Sequence, residues 1–220
     1  FEMLDEHAKE AIRAQIAGLD RSASQVVEIK RQARVMRLLD KAEQAFNTAR
    51  VGQTMKLYRK IIEIDPGNAM AYLNLGNVYH SIKREKEAEE AYKTAVKINP
   101  YYIFGNLELA KLYLSTHRAQ EAVNLLNSVV EWNPGDSEVR LYLGLAYSFQ
   151  KDESKAIREM EEAVRLDPRF ALAYYYLGVQ FQNRNLGLSR RHLKKFLRLT
   201  RSGTGSDKMI ARAEKLLKKL

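Results

Sequence analysis

The sequence predicts an all-α protein: a right-handed α-solenoid of about five helix-turn-helix repeats, with capping helices at its N- and C-terminal ends. Three observations carry that expectation. The four prolines, Pro66, Pro100, Pro134 and Pro168, stand 34 residues apart. A large, a small and an aromatic residue recur at the same interval between them: Leu75, Gly76 and Tyr79 return as Leu109, Ala110 and Tyr113, as Leu143, Gly144 and Tyr147, and as Leu177, Gly178 and Phe181. With 11 Gly and 4 Pro in 220 residues, the chain has too few turn formers for many short strands.

The elements follow in order. The chain starts at Phe1 rather than Met, as a trimmed fragment would. Leu4, Ala8, Ala11, Ile12, Ile16 and Leu19 form one apolar stripe of a first helix, which breaks around Asp20 to Ser24. Val26, Val27, Ile29 and Ala33 then lead a helix into the first repeat, with residues 1–34 read as an extension. That extension either caps the solenoid, fills its groove or reaches a partner. The repeats are placed at 35–68, 69–102, 103–136, 137–170 and 171–200. Each proline follows Asp65, Asn99, Asn133 or Asp167; lacking an N–H and pushing its predecessor towards extended geometry, it stops one helix and turns the chain into the next. The Leu-small-aromatic set lies on one face of a first helix, where the small residue admits a neighbouring backbone. Ala88, Tyr92 and Ala95, repeated as Ala122, Leu126 and Val129 and as Ala156, Met160 and Ala163, have the four-and-three spacing of a second helix.

Both terminal repeats depart from the pattern. The first has Lys41, Ala42, Ala45, Thr54, Tyr58 and Ile61 in the expected places, with a longer first helix ending near Arg50. In the fifth, Ser189, Leu193 and Phe196 fit only if the turn is one residue shorter. Residues 201–220 close the chain: Ser206 and Asp207 can start a helix, and Met209, Ile210, Ala213, Leu216, Leu217 and Leu220 line one side of it.

These intervals resemble the tetratricopeptide repeat family, whose 34-residue pattern carries Leu-Gly, Tyr, Ala, an aromatic and Pro, over roughly Val35 to Thr200. The resemblance implies that positions two, five and nine of each repeat point into a concave face. Position two is Met36, Met70, Phe104, Glu138 and Leu172. Position five is Leu39, Leu73, Leu107, Leu141 and Tyr175, and position nine is Glu43, Asn77, Lys111, Leu145 and Val179. A partner-binding groove of that composition suits an amphipathic helix or an apolar peptide of another protein. Alternatively, the position-five leucines pack inside their own hairpins. The family's clamp for terminal carboxylates is not matched: Asn77 fits, but Leu73, Glu108, Glu138 and Tyr142 occupy the companion places.

Charge is concentrated at one end. The chain has 37 Lys/Arg against 27 Asp/Glu, and residues 184–220 hold twelve of the former and two of the latter, which is the whole excess of +10. Arg190, Arg191, Lys194, Lys195 and Arg198 form a basic patch on the fifth second helix. The patch is either a solvated face or a binder of anionic surfaces: an acidic protein or anionic membrane lipid, with nucleic acid disfavoured because Phe196, the nearby ring, is spent on packing. The last helix is read as a cap, with a basic interfacial helix as the alternative.

No constellation points to an enzyme, a metal or a cofactor. His7, His80, His117 and His192 never fall at metal-binding helical spacing, there is no cysteine, and all four are expected on the surface. Gly203, Thr204, Gly205 and Ser206 lack the glycine spacing and Lys of a phosphate loop. The longest uncharged run, residues 170–183, has 14 residues where a spanning helix needs about 20. A cytoplasmic location is favoured, or the envelope if a signal precedes Phe1.

Overall fold

The computed structural model describes residues 23–200 and 207–220. They form eleven α-helices and no strand. The elements are α1 (Ala23–Asn47), α2 (Val51–Ile64), α3 (Ala69–Ser81), α4 (Glu85–Ile98), α5 (Ile103–Ser115), α6 (Ala119–Trp132), α7 (Ser137–Phe149), α8 (Glu153–Leu166), α9 (Ala171–Gln180), α10 (Leu186–Thr200) and α11 (Asp207–Leu217). Consecutive pairs make helical hairpins, so the fold class is the expected all-α solenoid of helix-turn-helix repeats. The expected helix over Leu4 to Leu19, and the link over 201–205, lie outside the described residues. The chain forms two compact units, one ending at Gly105 and the other beginning at Asn106.

In the first unit, α1 is a single 25-residue helix. It runs through the expected boundary between extension and first repeat, and is helical from Ala23, inside the expected break. Its N-terminal half is tied down by Arg31, which donates to the Ile64 carbonyl at 2.9 Å and to the Asp65 carboxylate at 2.8 Å, both at the end of α2. The α3/α4 hairpin closes over Gly76, where a Cβ would meet the Tyr92 ring at 2.5 Å. Asn68 caps α3 by accepting from the Ala71 N–H at 2.9 Å.

The second unit repeats this construction with other residues. A Cβ on Gly144 would lie 2.8 Å from Met160 Cγ and 2.9 Å from the Ala156 carbonyl oxygen, and one on Gly178 would lie 2.6 Å from Leu193. The small residue therefore sets the distance between paired helices. Arg140 of α7 reaches Glu159 of α8 at 2.7 Å, a pair with only 17% and 7% of the side chains exposed. In the fifth hairpin a 3-10 turn, Phe181–Asn183, replaces the end of the first helix and leaves two linking residues, so the turn is shortened as the sequence required. Ser189 then reaches across to donate to the Gly178 carbonyl at 2.7 Å.

The turn inside each of the first four hairpins contains a residue in the left-handed region: Ala49, Lys83, His117 and Lys151, with φ between 54° and 64°. These too are 34 residues apart. The N–H after each bonds to a carbonyl five residues back: Arg50 to Ala45, Arg84 to Tyr79, Arg118 to Tyr113 and Asp152 to Tyr147, at 2.7 to 3.0 Å. That is the Schellman closure of a helix, built without glycine.

Helix α11 packs its apolar stripe on the last hairpin. Ala213 is buried with Tyr175, Leu193 and Phe196, and Met209, Ile210, Leu216 and Leu217 pack against the same cluster.

Candidate functional site

The first helices place the expected groove residues at three depths. Position five is consumed by the fold: Leu73, Leu107, Leu141 and Tyr175 are buried, and only Leu39 is half-buried. Their burial, at about 1.5–3 kcal/mol each, holds hairpins together and leaves little for a ligand to touch. Position two is more open. Met36, Met70, Glu138 and Leu172 are half-buried, and Phe104 is 46% exposed with its ring set edge-on to Tyr102 at 6.1 Å.

Position nine is half-buried throughout and does different work in each repeat. Asn77 accepts a hydrogen bond from the Tyr92 hydroxyl at 2.8 Å, bracing α3 to α4. The matching pair one repeat earlier is Glu43 and Tyr58. There the Tyr58 hydroxyl is buried with no hydrogen-bond partner among the described residues, and burial, then the Glu43 charge, push its pKa up. In later repeats the tyrosine becomes Leu126 or Met160, and position nine becomes Lys111 or Leu145. In the fifth, Val179 packs against the cluster closed by α11. The cap therefore takes up both Tyr175 and Val179, the last two expected groove positions.

Lys111 gathers a polar cluster in the second unit. Its ammonium lies 3.0 Å from Glu108, 3.2 Å from Glu138 and 4.9 Å from the centre of the Tyr142 ring. Burial alone would lower its pKa, but Glu108, Tyr142 and Glu138 outweigh that and hold the ammonium firmly charged. The two carboxylates that spoil a carboxylate clamp are thus both committed to this lysine. Beside them the Tyr142 hydroxyl is pushed up, by burial first. Leu145 and Leu172 belong to the partly buried rim of the α7–α9 core.

At the basic end, Arg190, Arg191, Lys194 and Arg198 are exposed and Lys195 is half-buried, its ammonium 5.7 Å from the Tyr174 ring centre. Phe196 is buried, as expected. His192, expected on the surface, is half-buried. Its imidazole stacks with the Phe181 ring, centroids 5.6 Å apart, and with the Tyr174 ring at 5.9 Å. The other described histidines differ: His80 contacts Glu85 at 2.7 Å, and His117 occupies a left-handed turn position. Among the described residues no group of three or more His, Asp or Glu could hold a metal ion. No helix among them is long and apolar enough to cross a membrane.

The periodic left-handed turns and the coupling between position nine and its facing second-helix residue were not anticipated. A signal for the second was present, since the Tyr58–Glu43 and Tyr92–Asn77 pairs share one 34-residue offset.

Comparison with known proteins agrees with this fold. The solved structure of MamA from Desulfovibrio magneticus RS-1 superposes with a TM-score of 0.66 at 18% identity, covering 78% of this chain and 97% of that one. PilW, described as a widely conserved type IV pilus biogenesis factor, gives 0.71 at 17% identity, with 84% and 89% covered. YrrB, described as a tetratricopeptide repeat protein with an unusual peptide-binding site, gives 0.61 at 20% identity, with 88% and 98% covered. At these identities the likeness is one of fold. No curated protein sequence matches the chain. The tetratricopeptide repeat profile matches residues 69–102, and a second profile of the same repeat matches 113–178. Hairpin geometry, period and profiles agree, and the chain belongs to the tetratricopeptide repeat family, a fold that serves as a scaffold for protein–protein interaction.

Proposed function

We propose that the chain is a non-catalytic adaptor whose first-helix faces hold a peptide or helical segment of a partner protein. The observation that carries the reading is Phe104, a phenyl ring left 46% exposed by a fold that buries its neighbours Leu107 and Leu109. Apolar surface that the fold itself does not consume is what a partner covers. Met70 and Met36, half-buried at the same repeat position, add unbranched side chains that adapt to a ligand. In the second unit Leu145 and Leu172 offer apolar contact near the charged Lys111 cluster, so a segment bound there combines apolar side chains with polar ones. The peptide-binding site in the printed description of YrrB supports the reading by analogy of fold.

The experiment is capture of partners on the immobilised chain, identification of the bound protein, and titration of that protein in purified form. Phe104→Glu combined with Met70→Glu is expected to weaken the titrated affinity at least about tenfold, the equivalent of roughly 1.4 kcal/mol. Circular dichroism should stay helical, since neither side chain is buried. Unchanged affinity in the double variant would overturn the reading. Substituting Leu107 or Leu141 would not test it, because those side chains hold the hairpins together.

A further inference from the structure

The second helices carry a groove of their own. Between α8 and α10 lies a depression of about 470 Å³. Val164 and Leu188 give it aliphatic walls, and the stacked rings of Tyr174 and His192 also line it. Three cations, Arg191, Lys195 and Arg198, line it as well, against one carboxylate, Glu161. None of the three cations makes an ion pair among the described residues. By contrast Arg140, Arg158 and Arg165, on the neighbouring hairpin, are each paired to a glutamate. Arg191 and Arg198 also line a second depression, of about 400 Å³, with Lys194 and Leu197. The two hollows therefore share an arginine ridge along α10.

The geometry points to a docking site on this ridge for an acidic peptide segment of a partner protein, its carboxylates on Arg191, Lys195 and Arg198 and an apolar side chain in the hollow against Val164 and Leu188. Charge complementarity identifies the occupant, because cations without ion pairs among the described residues, set beside apolar walls, suit carboxylates spaced by apolar residues. The shape separates it from other polyanions. A lipid surface is flat and leaves a depression between two helices empty. Single-stranded nucleic acid needs free ring faces, whereas Tyr174 is stacked on His192 and has the Lys195 ammonium over its ring. This site is separate from the first-helix faces and does not depend on them.

The test uses the whole chain and three probes: a fluorescein-labelled peptide of alternating glutamate and leucine, the same peptide with glutamine for glutamate, and vesicles of phosphatidylcholine with and without phosphatidylserine. The glutamate peptide is expected to bind with an affinity that falls as salt rises, and the glutamine peptide to bind at least about tenfold more weakly. Arg191→Glu with Arg198→Glu should abolish binding of the acidic peptide, while Phe104→Glu leaves it unchanged. Both arginines are exposed, so circular dichroism should not change. Equal binding of the two peptides, indifference to the arginine reversals, or sedimentation with phosphatidylserine vesicles in preference to the peptide would each overturn the proposal.

Discussion

Two tyrosines at equivalent positions are expected to answer differently to the loss of one oxygen atom. Tyr92 donates to Asn77 at 2.8 Å, so Tyr92→Phe removes a cross-hairpin hydrogen bond and is expected to cost about 1 kcal/mol. Tyr58 has its hydroxyl buried without a hydrogen-bond partner among the described residues, so Tyr58→Phe relieves a desolvation cost and should be neutral or stabilising by up to about 1 kcal/mol. Chemical denaturation of the two variants reads the difference directly; equal destabilisation would show that the Tyr58 hydroxyl is bonded in solution. The first repeat has Ala42 where the second has Gly76, and a Cβ at Gly76 would meet the tyrosine ring. One methyl group thus accompanies the difference between a satisfied and an unsatisfied hydroxyl. The packing of His192 is expected to make stability depend on pH. Burial first, and then the Arg191 charge, lower its pKa below the ordinary histidine value. The unfolded chain therefore takes up a proton more readily than the folded one. Stability from the neutral ring is present above about pH 6.5 and is lost as the pH falls from there through the lowered folded value. His192→Phe should flatten that part of the stability profile, measured by denaturant titration on either side of it.

At the scale of the element, the recurring turn is closed at some conformational cost. Four non-glycine residues hold φ near +60°, a region where a side chain typically costs about 1 kcal/mol or more. The chain tolerates this because each turn gains a Schellman hydrogen bond and starts the second helix one residue later. Lys151→Gly is expected to stabilise the fold by up to about 1 kcal/mol, the gain being reduced by the freedom glycine has when unfolded. Ser154→Gly, three residues on in the exposed first turn of α8, should instead cost up to about 1 kcal/mol. A thermal melt in which both variants shift the same way would contradict the left-handed assignment. The fifth hairpin lacks this turn, and its 3-10 segment with Asn185, whose N–H bonds to the Phe181 carbonyl at 2.8 Å, replaces it.

The whole molecule was legible in the sequence wherever one residue type has one structural meaning. Proline stops a helix, and a glycine facing Tyr92, Met160 or Leu193 admits a second one, so period and hairpins could be read directly. Burial along the groove could not. Leu107 and Phe104 are both apolar and three residues apart, and only packing decides that one is buried and the other open. The left-handed turns were hidden for a related reason, since Ala49, Lys83, His117 and Lys151 carry no signature of that conformation. The C-terminal helix was ambiguous between cap and free basic helix, because the same stripe serves either. In the structure its apolar side closes over Tyr175, Leu193 and Phe196. A repeat array is stabilised by nearest neighbours, so the loss of one cap should be felt first by the hairpin it covers. Ending the chain at Thr200 uncovers that cluster and removes Ala213, Met209, Ile210, Leu216 and Leu217 from it. At about 1.5–3 kcal/mol for each fully buried large side chain, and less for these partly exposed ones, the loss is several kcal/mol, comparable to the stability of a domain. The expected outcome is local. Amide exchange in α9 and α10 should accelerate by orders of magnitude in the truncated chain, while α3 and α4 keep their protection. Unchanged exchange in α9 and α10 would mean that α11 does not cap the array in solution, and that its basic face acts on a free helix.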